Sequence, residues 1–162
     1  MIGNDVIDLA LAHKESNWQR KGFLEKIFTP KEQQLILNAE NPEIMVWNLW
    51  SRKEASYKIF NRETGIRIYN PKQFECDFQN YTSGSVCFNG IRYYTSTKIA
   101  GEKINTIAVS EKNYFKRIIS ISREFEIIKI EGAPYRKDYD SQKLVPVSIS
   151  HHGRFRECIE LK

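Results

Sequence analysis

Apolar and polar positions follow a helical period in the first 60 residues and a strand period in most of the remainder. From about residue 42 to residue 60, apolar side chains recur at intervals of three, one, seven and three residues, which places them in one stripe on a helix. The stripe consists of Val46, Leu49, Trp50, Tyr57 and Phe60. Asn61 and Gly65 are suited to end this helix.

Shorter signals mark the elements that precede the long helix. Residues 2–7 form an apolar stretch that predicts a strand, and Asp8 is placed to cap the helix that follows it. Thr29 and Glu32 form a capping box around Pro30, which is the first helical residue of another helix. The first part of the chain is therefore predicted to be one strand followed by helices.

Beyond Gly65, β-branched or aromatic runs are separated by Gly, Asn, Ser and Pro, which is typical of strands joined by turns. Asn89-Gly90 is a strong hairpin signal between two of these runs. The Gly-Ala-Pro turn at 132–134 and the polar residues 136–143 predict a loop, and residues 152–154 predict the last turn. The predicted strands cover residues 66–69, 74–78, 85–88, 91–97, 104–109, 118–130, 144–150 and 155–161.

These elements predict one α+β domain over residues 1–162, with N-terminal helices packed on a mainly antiparallel sheet. The length of 162 residues is that of about one domain. Apolar residues make up 41% and charged residues 28% of the chain, which is close to the globular average. The composition therefore argues against wholesale disorder, a coiled coil or a collagen-like rod.

Several patterns bear on where the protein works. No run approaches 18 consecutive apolar residues, and the N-terminus has neither the basic nor the apolar region of a secretory signal. Cys76, Cys87 and Cys158 form no C-x-x-C pair, which favours reduced thiols. We therefore expect a cytoplasmic protein with no membrane partner.

The net charge of +5 is distributed unevenly. Residues 1–60 hold 8 basic and 8 acidic side chains, whereas residues 61–162 hold 17 basic and 12 acidic ones. A basic surface suits nucleic acid, a phosphorylated cofactor or an acidic protein. A solvated surface without a partner fits the charge equally well.

Asp5 is the first residue that could carry chemistry. It lies inside the predicted strand, where a buried carboxylate needs a cation, a hydrogen-bond network or a metal. Gly3 would let another group approach the backbone closely. The structural alternative is that Asp5 caps or pairs near a strand end.

Glu54 and Lys58 are the second candidate pair. They are four residues apart on the predicted long helix and share one face with Trp47 and Ser51. A surface ion pair worth about 0.3–0.5 kcal/mol is the structural interpretation. The functional interpretation is that Glu54 holds a metal or accepts a proton while Lys58 contacts a phosphate.

The segment Val147-Ser148-Ile149-Ser150-His151-His152-Gly153 is the third candidate. Hydroxyls, imidazoles and turn amides are good ligands for phosphate oxygens. Adjacent histidines point to opposite sides of a strand, so a shared metal is not expected, and no Cys/His set indicates structural zinc. The sequence also contains no G-x-S-x-G elbow, P-loop or G-x-G-x-x-G turn.

Taken together and in this order, the motifs resemble those of the 4′-phosphopantetheinyl transferase superfamily. The resemblance is carried by Gly3-Asn4-Asp5, Phe28-Thr29-Pro30-Lys31-Glu32 and Trp50-Ser51-Arg52-Lys53-Glu54-Ala55-Ser56-Tyr57-Lys58. Ser148-Ile149-Ser150-His151 is similar to the Ser-x-Ser-His segment of the small, holo-acyl-carrier-protein-synthase-like class. Gly132-Ala133-Pro134 resembles the Gly-x-Pro turn of that class, although Ala133 replaces its usual basic residue.

The resemblance implies the corresponding fold and a Mg²⁺-dependent transfer of 4′-phosphopantetheine. The group would pass from coenzyme A, the substrate, to a serine of an apo carrier protein, and 3′,5′-ADP would be released. The carrier, an acyl or peptidyl carrier protein of fatty-acid, polyketide or peptide synthesis, would be acidic. A homo-oligomer, such as a trimer, is also implied because the chain holds one copy of the motif set.

The resemblance also assigns roles to individual residues. Asp5 and Glu54 would hold Mg²⁺, and Glu54, or a water that it orders, would accept the serine proton. Lys58 would contact the α- and β-phosphates. The remaining contacts to the nucleotide phosphates would come from Lys53, Ser150 and His151.

Two alternatives remain at this point. A basic nucleic-acid-binding module would use the +5 charge and aromatic residues such as Tyr93, Tyr94 and Tyr114, although no RNA-binding sheet motif accompanies them. The resemblance itself implies no nucleic-acid partner. A degenerate transferase that binds coenzyme A without turnover is the second alternative, and it would fit if Asp5 and Glu54 were too far apart to share an ion.

Overall fold

The structure is a computed structural model that describes residues 1–67, 69–122, 125–138 and 140–162. In these residues the helices are α1 (Leu9–Glu15), α2 (Phe23–Ile27), α3 (Pro30–Leu37) and α4 (Pro42–Thr64). The first five strands are β1 (Ile2–Asp8), β2 (Glu75–Phe78), β3 (Ser83–Phe88), β4 (Ile91–Ala100) and β5 (Lys103–Val109). The others are β6 (Ile118–Ser120), β7 (Ile127–Ile130), β8 (Ala133–Lys137), β9 (Leu144–His152) and β10 (Phe155–Leu161). Short 3₁₀ turns lie at Pro71–Gln73 and Lys112–Arg117.

The strands of the described residues form two five-stranded sheets in which every pairing is antiparallel. The first sheet has the order β1-β5-β4-β3-β2, and the second has the order β6-β10-β9-β8-β7. The predicted α+β class is confirmed, with two sheets where the sequence predicted one. Both the N-terminal strand β1 and the C-terminal strands thus take part in sheets.

Helix α4 lies against the first sheet and supplies much of the core. Its 23 residues begin after the cap Asn41 and end before the cap Gly65, whose φ of 71° suits glycine. Val46, Leu49 and Phe60 of the predicted stripe are buried. The close approach of β1 to this helix depends on Gly3, because a Cβ there would lie 2.1 Å from the carbonyl oxygen of Ala55.

The two sheets meet where β1 lies beside β9, and we call this contact the seam. One edge of β1 pairs with β5, and alternate backbone N–H groups on the other edge donate to side chains of β9. These bonds run from Asn4 N to Ser148 Oγ (3.0 Å), from Val6 N to Ser150 Oγ (3.1 Å) and from Asp8 N to His152 Nδ1 (2.9 Å). Side chains two apart on a strand share one face, so β9 meets the alternate amides in register.

The local helix signals are confirmed. Asp8 caps α1 through Leu11 N, and Thr29 and Glu32 form both hydrogen bonds of the capping box at α3. Helix α4 continues four residues beyond Phe60 and ends at the predicted glycine. The sequence did not predict α2, which is only five residues long and has no side-chain cap at Gly22.

Three strand or loop predictions need correction. Residues 66, 67 and 69 are not in a strand, and Ile68 lies outside the described residues. The predicted strand 118–130 is two strands, β6 and β7, with Arg123 and Glu124 outside the described residues. The predicted loop contains β8. The chain reverses at Glu131 and Gly132 (φ of 52° and 87°), so Pro134 lies inside the strand and not in the turn. Residue 139 of that predicted loop also lies outside the described residues.

The three cysteines are free thiols, in agreement with the sequence. Among the described residues, no helix combines the length and the apolar character needed to cross a bilayer.

Candidate active site

A cavity of about 280 Å³ lies beside the seam. Its walls come from β1, from α1 and α2, from the middle of α4 and from the end of β9. Asp5, Glu54 and His151 supply polar groups, and apolar side chains such as Trp47 and Trp50 form much of the remaining wall. Residues that are distant in sequence thus meet around one space.

Asp5 is held in this wall with one carboxylate oxygen satisfied and the other unpartnered. Its residue surface is 8% exposed. Oδ1 accepts a hydrogen bond from Ser150 Oγ at 2.9 Å and lies 3.5 Å from Lys58 Nζ. Oδ2 is buried and has no hydrogen-bond partner among the described residues. Burial raises the pKa of the Asp5 carboxyl, and the nearby Lys58 charge opposes this rise.

Glu54 lies in the fourth turn of α4 and faces the same cavity. Its burial raises the pKa of the carboxyl group to about 7, and the negative charge of Asp5 adds to the increase. Lys58 partly offsets both effects. A carboxyl group with a pKa near neutrality can exchange a proton at physiological pH.

Lys58 joins α4 to both strands of the seam. Its ammonium group donates to the carbonyl oxygen of Asn4 at 2.6 Å and to that of Ile149 at 3.4 Å. The side chain retains 31% exposure. The cation is therefore fixed beside Asp5 while part of it stays open to a ligand.

The donor set fits a hard divalent cation. A buried carboxylate oxygen without a partner is unfavourable unless a cation or water completes its coordination, and Asp5 Oδ2 is such an atom. Glu54 supplies a second carboxylate at the same cavity. The described residues contain no cluster of three or more potential metal-ligating side chains. Two carboxylates with waters and substrate oxygens suit Mg²⁺, which usually keeps several waters.

Lys53 does not reach this cavity, and its predicted phosphate contact is wrong. Its side chain is fully buried, and its ammonium group donates to Glu32 Oε2 (2.8 Å), to the carbonyl of Pro71 (3.0 Å) and to that of Phe74 (2.7 Å). An ammonium group has three N–H donors. All of them are used inside the protein, which leaves none for a nucleotide.

Ser150 and His151 differ in what they can offer a ligand. The Ser150 hydroxyl is buried, accepts from Val6 N and donates to Asp5 Oδ1. Its partners are therefore protein groups, and the predicted phosphate contact would require these bonds to change. His151 is exposed and lines the cavity.

The sequence-based interpretation missed the cations around the site. Arg62 lies one turn beyond Lys58 on α4 and donates to the carbonyls of Val147 and Pro134. It lines a second cavity of about 190 Å³ together with Lys58. The sequence feature that could have revealed Arg62 is its spacing of four residues from Lys58, which places the two cations on one helix face.

A third cavity of about 440 Å³ adjoins the first and shares Trp50 with it. Arg20, Lys21 and Lys26 line this third cavity. We call these three residues the basic border. They lie within residues 1–60, where basic and acidic residues balance, so the overall charge pattern did not reveal them.

Comparisons with known proteins agree with the motifs. Residues 1–118 match the family model of the 4′-phosphopantetheinyl transferase superfamily. A holo-[acyl-carrier-protein] synthase from Caldanaerobacter subterraneus subsp. tengcongensis is 29% identical over 102 residues, which are 63% of this chain and 75% of that protein.

Two solved structures share the fold. The ACPS–CoA complex of Chronobacterium ammoniagenes has a TM-score of 0.53 at 16% identity, over 66% of this chain and 93% of that one. The holo-[acyl-carrier-protein] synthase of Thermotoga maritima has a TM-score of 0.53 at 19% identity, over 79% of this chain and 76% of that one. These similarities confirm the predicted fold. The family match includes Asp5, Glu54 and Lys58 and ends before Ser150 and His151.

Proposed function

We propose that this chain, which belongs to the 4′-phosphopantetheinyl transferase superfamily, transfers 4′-phosphopantetheine from coenzyme A to a serine of an apo carrier protein. One observation carries the proposal: Asp5 and Glu54, from the first and third of the family-like motifs, line one cavity, and Lys58 lies beside Asp5. The degenerate transferase would have fitted if the two carboxylates lay too far apart to share an ion, and their common cavity does not support that separation.

Glu54 is suited to accept the proton of the carrier serine. In the proposed reaction the serine Oγ forms a bond to the β-phosphorus of coenzyme A, and the bond from that phosphorus to the bridging oxygen breaks. The electron pair leaves with 3′,5′-ADP, and the serine proton passes to Glu54 directly or through a water. In the protein without a bound cation, burial and Asp5 raise the pKa of Glu54 to about 7, so this carboxylate is a stronger base than an ordinary glutamate.

Lys58 and Asp5 supply the electrostatic part of the reaction. Phosphoryl transfer depends mainly on positioning and on stabilising negative charge. Lys58 is fixed by two backbone carbonyls and is partly exposed, so it can contact the phosphates without a large rearrangement. Mg²⁺, held by Asp5 and Glu54, would supply the positive charge that neutralises the pyrophosphate.

The remaining expectations belong to the same proposal. The basic border adjoins the cavity and supports an acidic carrier protein as the partner. His151 remains a candidate for a nucleotide phosphate contact because it is exposed at the cavity. We keep one domain over residues 1–162, a cytoplasmic location and a homo-oligomer as further parts of the proposal.

The proposed function is tested by incubating the protein with coenzyme A, Mg²⁺ and a panel of apo carrier proteins from fatty-acid, polyketide and peptide synthesis. Intact-mass spectrometry should show one carrier gaining the phosphopantetheine group, with equimolar 3′,5′-ADP. The gain should disappear with EDTA and in the Asp5→Asn variant. No modification of any apo carrier, together with nucleic-acid binding that survives Glu54→Gln, would instead favour the nucleic-acid-binding alternative.

A further inference from the structure

Two serines of β9 accept hydrogen bonds from β1 in the same way but donate hydrogen bonds to different side chains. Ser148 Oγ accepts from the backbone N–H of Asn4, and Ser150 Oγ accepts from that of Val6. Both hydroxyls are buried, and the two residues are two positions apart on one face of the strand. As supports of the seam they are therefore equivalent.

Their donated hydrogen bonds distinguish them. Ser148 Oγ donates to the amide oxygen of Asn4 at 2.7 Å, whereas Ser150 Oγ donates to Asp5 Oδ1 at 2.9 Å. Asn4 is fully buried and does not line the candidate cavity, whereas Asp5 does. Only the second bond thus ends on a group at the candidate site.

We infer that Ser150 is a positioning residue, which fixes the Asp5 carboxylate so that Oδ2 is the oxygen left free for a cation. This inference rests on the proposed function, because it assigns Asp5 to the metal. It replaces the predicted role of Ser150 as a phosphate contact with an action through Asp5.

The physical need for such a residue follows from the freedom of an aspartate side chain. The terminal torsion of a carboxylate has a broad, two-fold energy profile, so the side chain alone does not select one orientation. A hydrogen bond from Ser150 to one oxygen selects it, because the serine is itself fixed by Val6 N. Loss of an outer-shell partner of a metal ligand typically weakens metal binding about 10–100-fold.

Lys58 does not replace this function of Ser150. Its ammonium group is 3.5 Å from Asp5 Oδ1, which is at the outer limit of a hydrogen bond, and its shorter bond goes to the carbonyl of Asn4. A lysine also contacts carboxylates as a point charge rather than through a fixed geometry. In a Ser150→Ala variant, Asp5 would therefore keep its electrostatic attraction to Lys58 but lose the hydrogen bond that fixes the orientation of its carboxylate.

The matched variants Ser150→Ala and Ser148→Ala test the inference. Each removes one acceptor for a β1 amide, so the two should lose similar thermal stability. Mn²⁺ binding is then measured by electron paramagnetic resonance with coenzyme A and no carrier protein, against coenzyme A alone. We expect Ser150→Ala to weaken binding about 10–100-fold and Ser148→Ala to stay within about threefold of wild type. Ser150→Thr, which keeps the hydroxyl, should restore binding.

Enzyme kinetics supply a second readout. Ser150→Ala should raise the Mg²⁺ concentration needed for half-maximal transfer, while kcat at saturating Mg²⁺ changes much less. Equal Mn²⁺ affinity in Ser150→Ala and wild type, or equal weakening in the two alanine variants, would overturn the inference. The absence of protein-dependent Mn²⁺ binding in wild type would overturn it as well. Failure of carrier modification with Mn²⁺ binding intact would count against the proposed function alone.

Discussion

Lys53 and Glu54 are neighbours in one motif on α4, yet they belong to opposite kinds of polar environment. The Lys53 side is closed: the ammonium group is fully buried with three partners, and Glu32 Oε1 is occupied by the backbone N–H of Cys76. The Glu54 side is open: it faces a cavity, and Asp5 keeps a buried oxygen without a partner among the described residues.

The difference separates structural charges from candidate catalytic ones. A buried charge whose hydrogen bonds are complete stabilises one packing arrangement and has nothing left to offer a ligand. A buried carboxylate with an incomplete shell is unfavourable in the free protein and becomes favourable when a cation or proton completes it. The two environments are adjacent because successive residues of a helix point in different directions.

The largest effect is expected from changes on the open side. Asp5→Asn and Glu54→Gln should each reduce kcat for transfer by about 1,000-fold or more, which corresponds to about 4 kcal/mol of transition-state stabilisation. The reason is that each removes a negative cation ligand, and the second also removes the proton acceptor. Carrier modification is followed by mass spectrometry, and the far-ultraviolet circular dichroism spectrum should stay unchanged. Either variant with near-wild-type kcat would contradict the assignment of the site.

The closed side should respond in stability instead of activity. Lys53→Met leaves the Glu32 carboxylate buried without its cation, so the free energy of unfolding should fall by about 3–5 kcal/mol. Chemical denaturation measures this loss. The fraction that remains folded should transfer with a kcat close to that of wild type.

A matched double variant makes this prediction sharper. Lys53→Met combined with Glu32→Gln removes both charges, so it should be more stable than Lys53→Met alone, because the unpaired carboxylate is gone. If Lys53→Met were instead stable and inactive, Lys53 would belong to the catalytic site and the division between the two sides would be wrong.

Lys58 lies between the two extremes because it has protein partners and an exposed face. We expect Lys58→Ala to lower kcat about 100-fold, which corresponds to about 2.7 kcal/mol, while coenzyme A affinity falls less than tenfold. The physical reason is that fixed positive charge acts mainly on charge developed in the transition state. Single-turnover kinetics and calorimetric titration of coenzyme A separate the two effects. An unchanged single-turnover rate would remove Lys58 from the catalytic group.

The sequence predicted those features whose partners are close along the chain. The capping box of Thr29 and Glu32 and the cap at Asp8 depend on bonds that span three residues, so residue types at fixed spacing identify them. The seam depends on bonds between residues 144 positions apart, and neither its register nor its partners can be read from local spacing. Strand β8 was missed for a related reason, since pairing with β7 and β9 overrides the local preference of Pro134 for a turn.

The sequence identified several residues of the candidate site, but it predicted their roles only in part. Motif resemblance selected Asp5, Glu54 and Lys58. The structure places Asp5 and Glu54 in the wall of one cavity, with the Lys58 ammonium group 3.5 Å from Asp5 Oδ1. It also selected Lys53. Lysine is rarely buried without a partner, so its burial was not expected from the sequence. That partner, Glu32, was assigned to the helix cap alone, and its second contact across the core is invisible in the local pattern.

The smallest effect is expected in the pH dependence of stability. The same Glu54→Gln variant measures how much the buried Glu54 carboxylate destabilises the folded protein. The pKa of Glu54 is raised from 4.5 to about 7, so between these pH values the folded protein binds more protons than the unfolded chain. Its free energy of unfolding should therefore fall as pH rises through this window in EDTA. Glu54→Gln lacks this contribution and should therefore be more stable than wild type at pH 8. Urea denaturation from pH 5 to 8 measures the difference. Equal slopes for the two proteins would show that Glu54 is not buried in an unfavourable charged state.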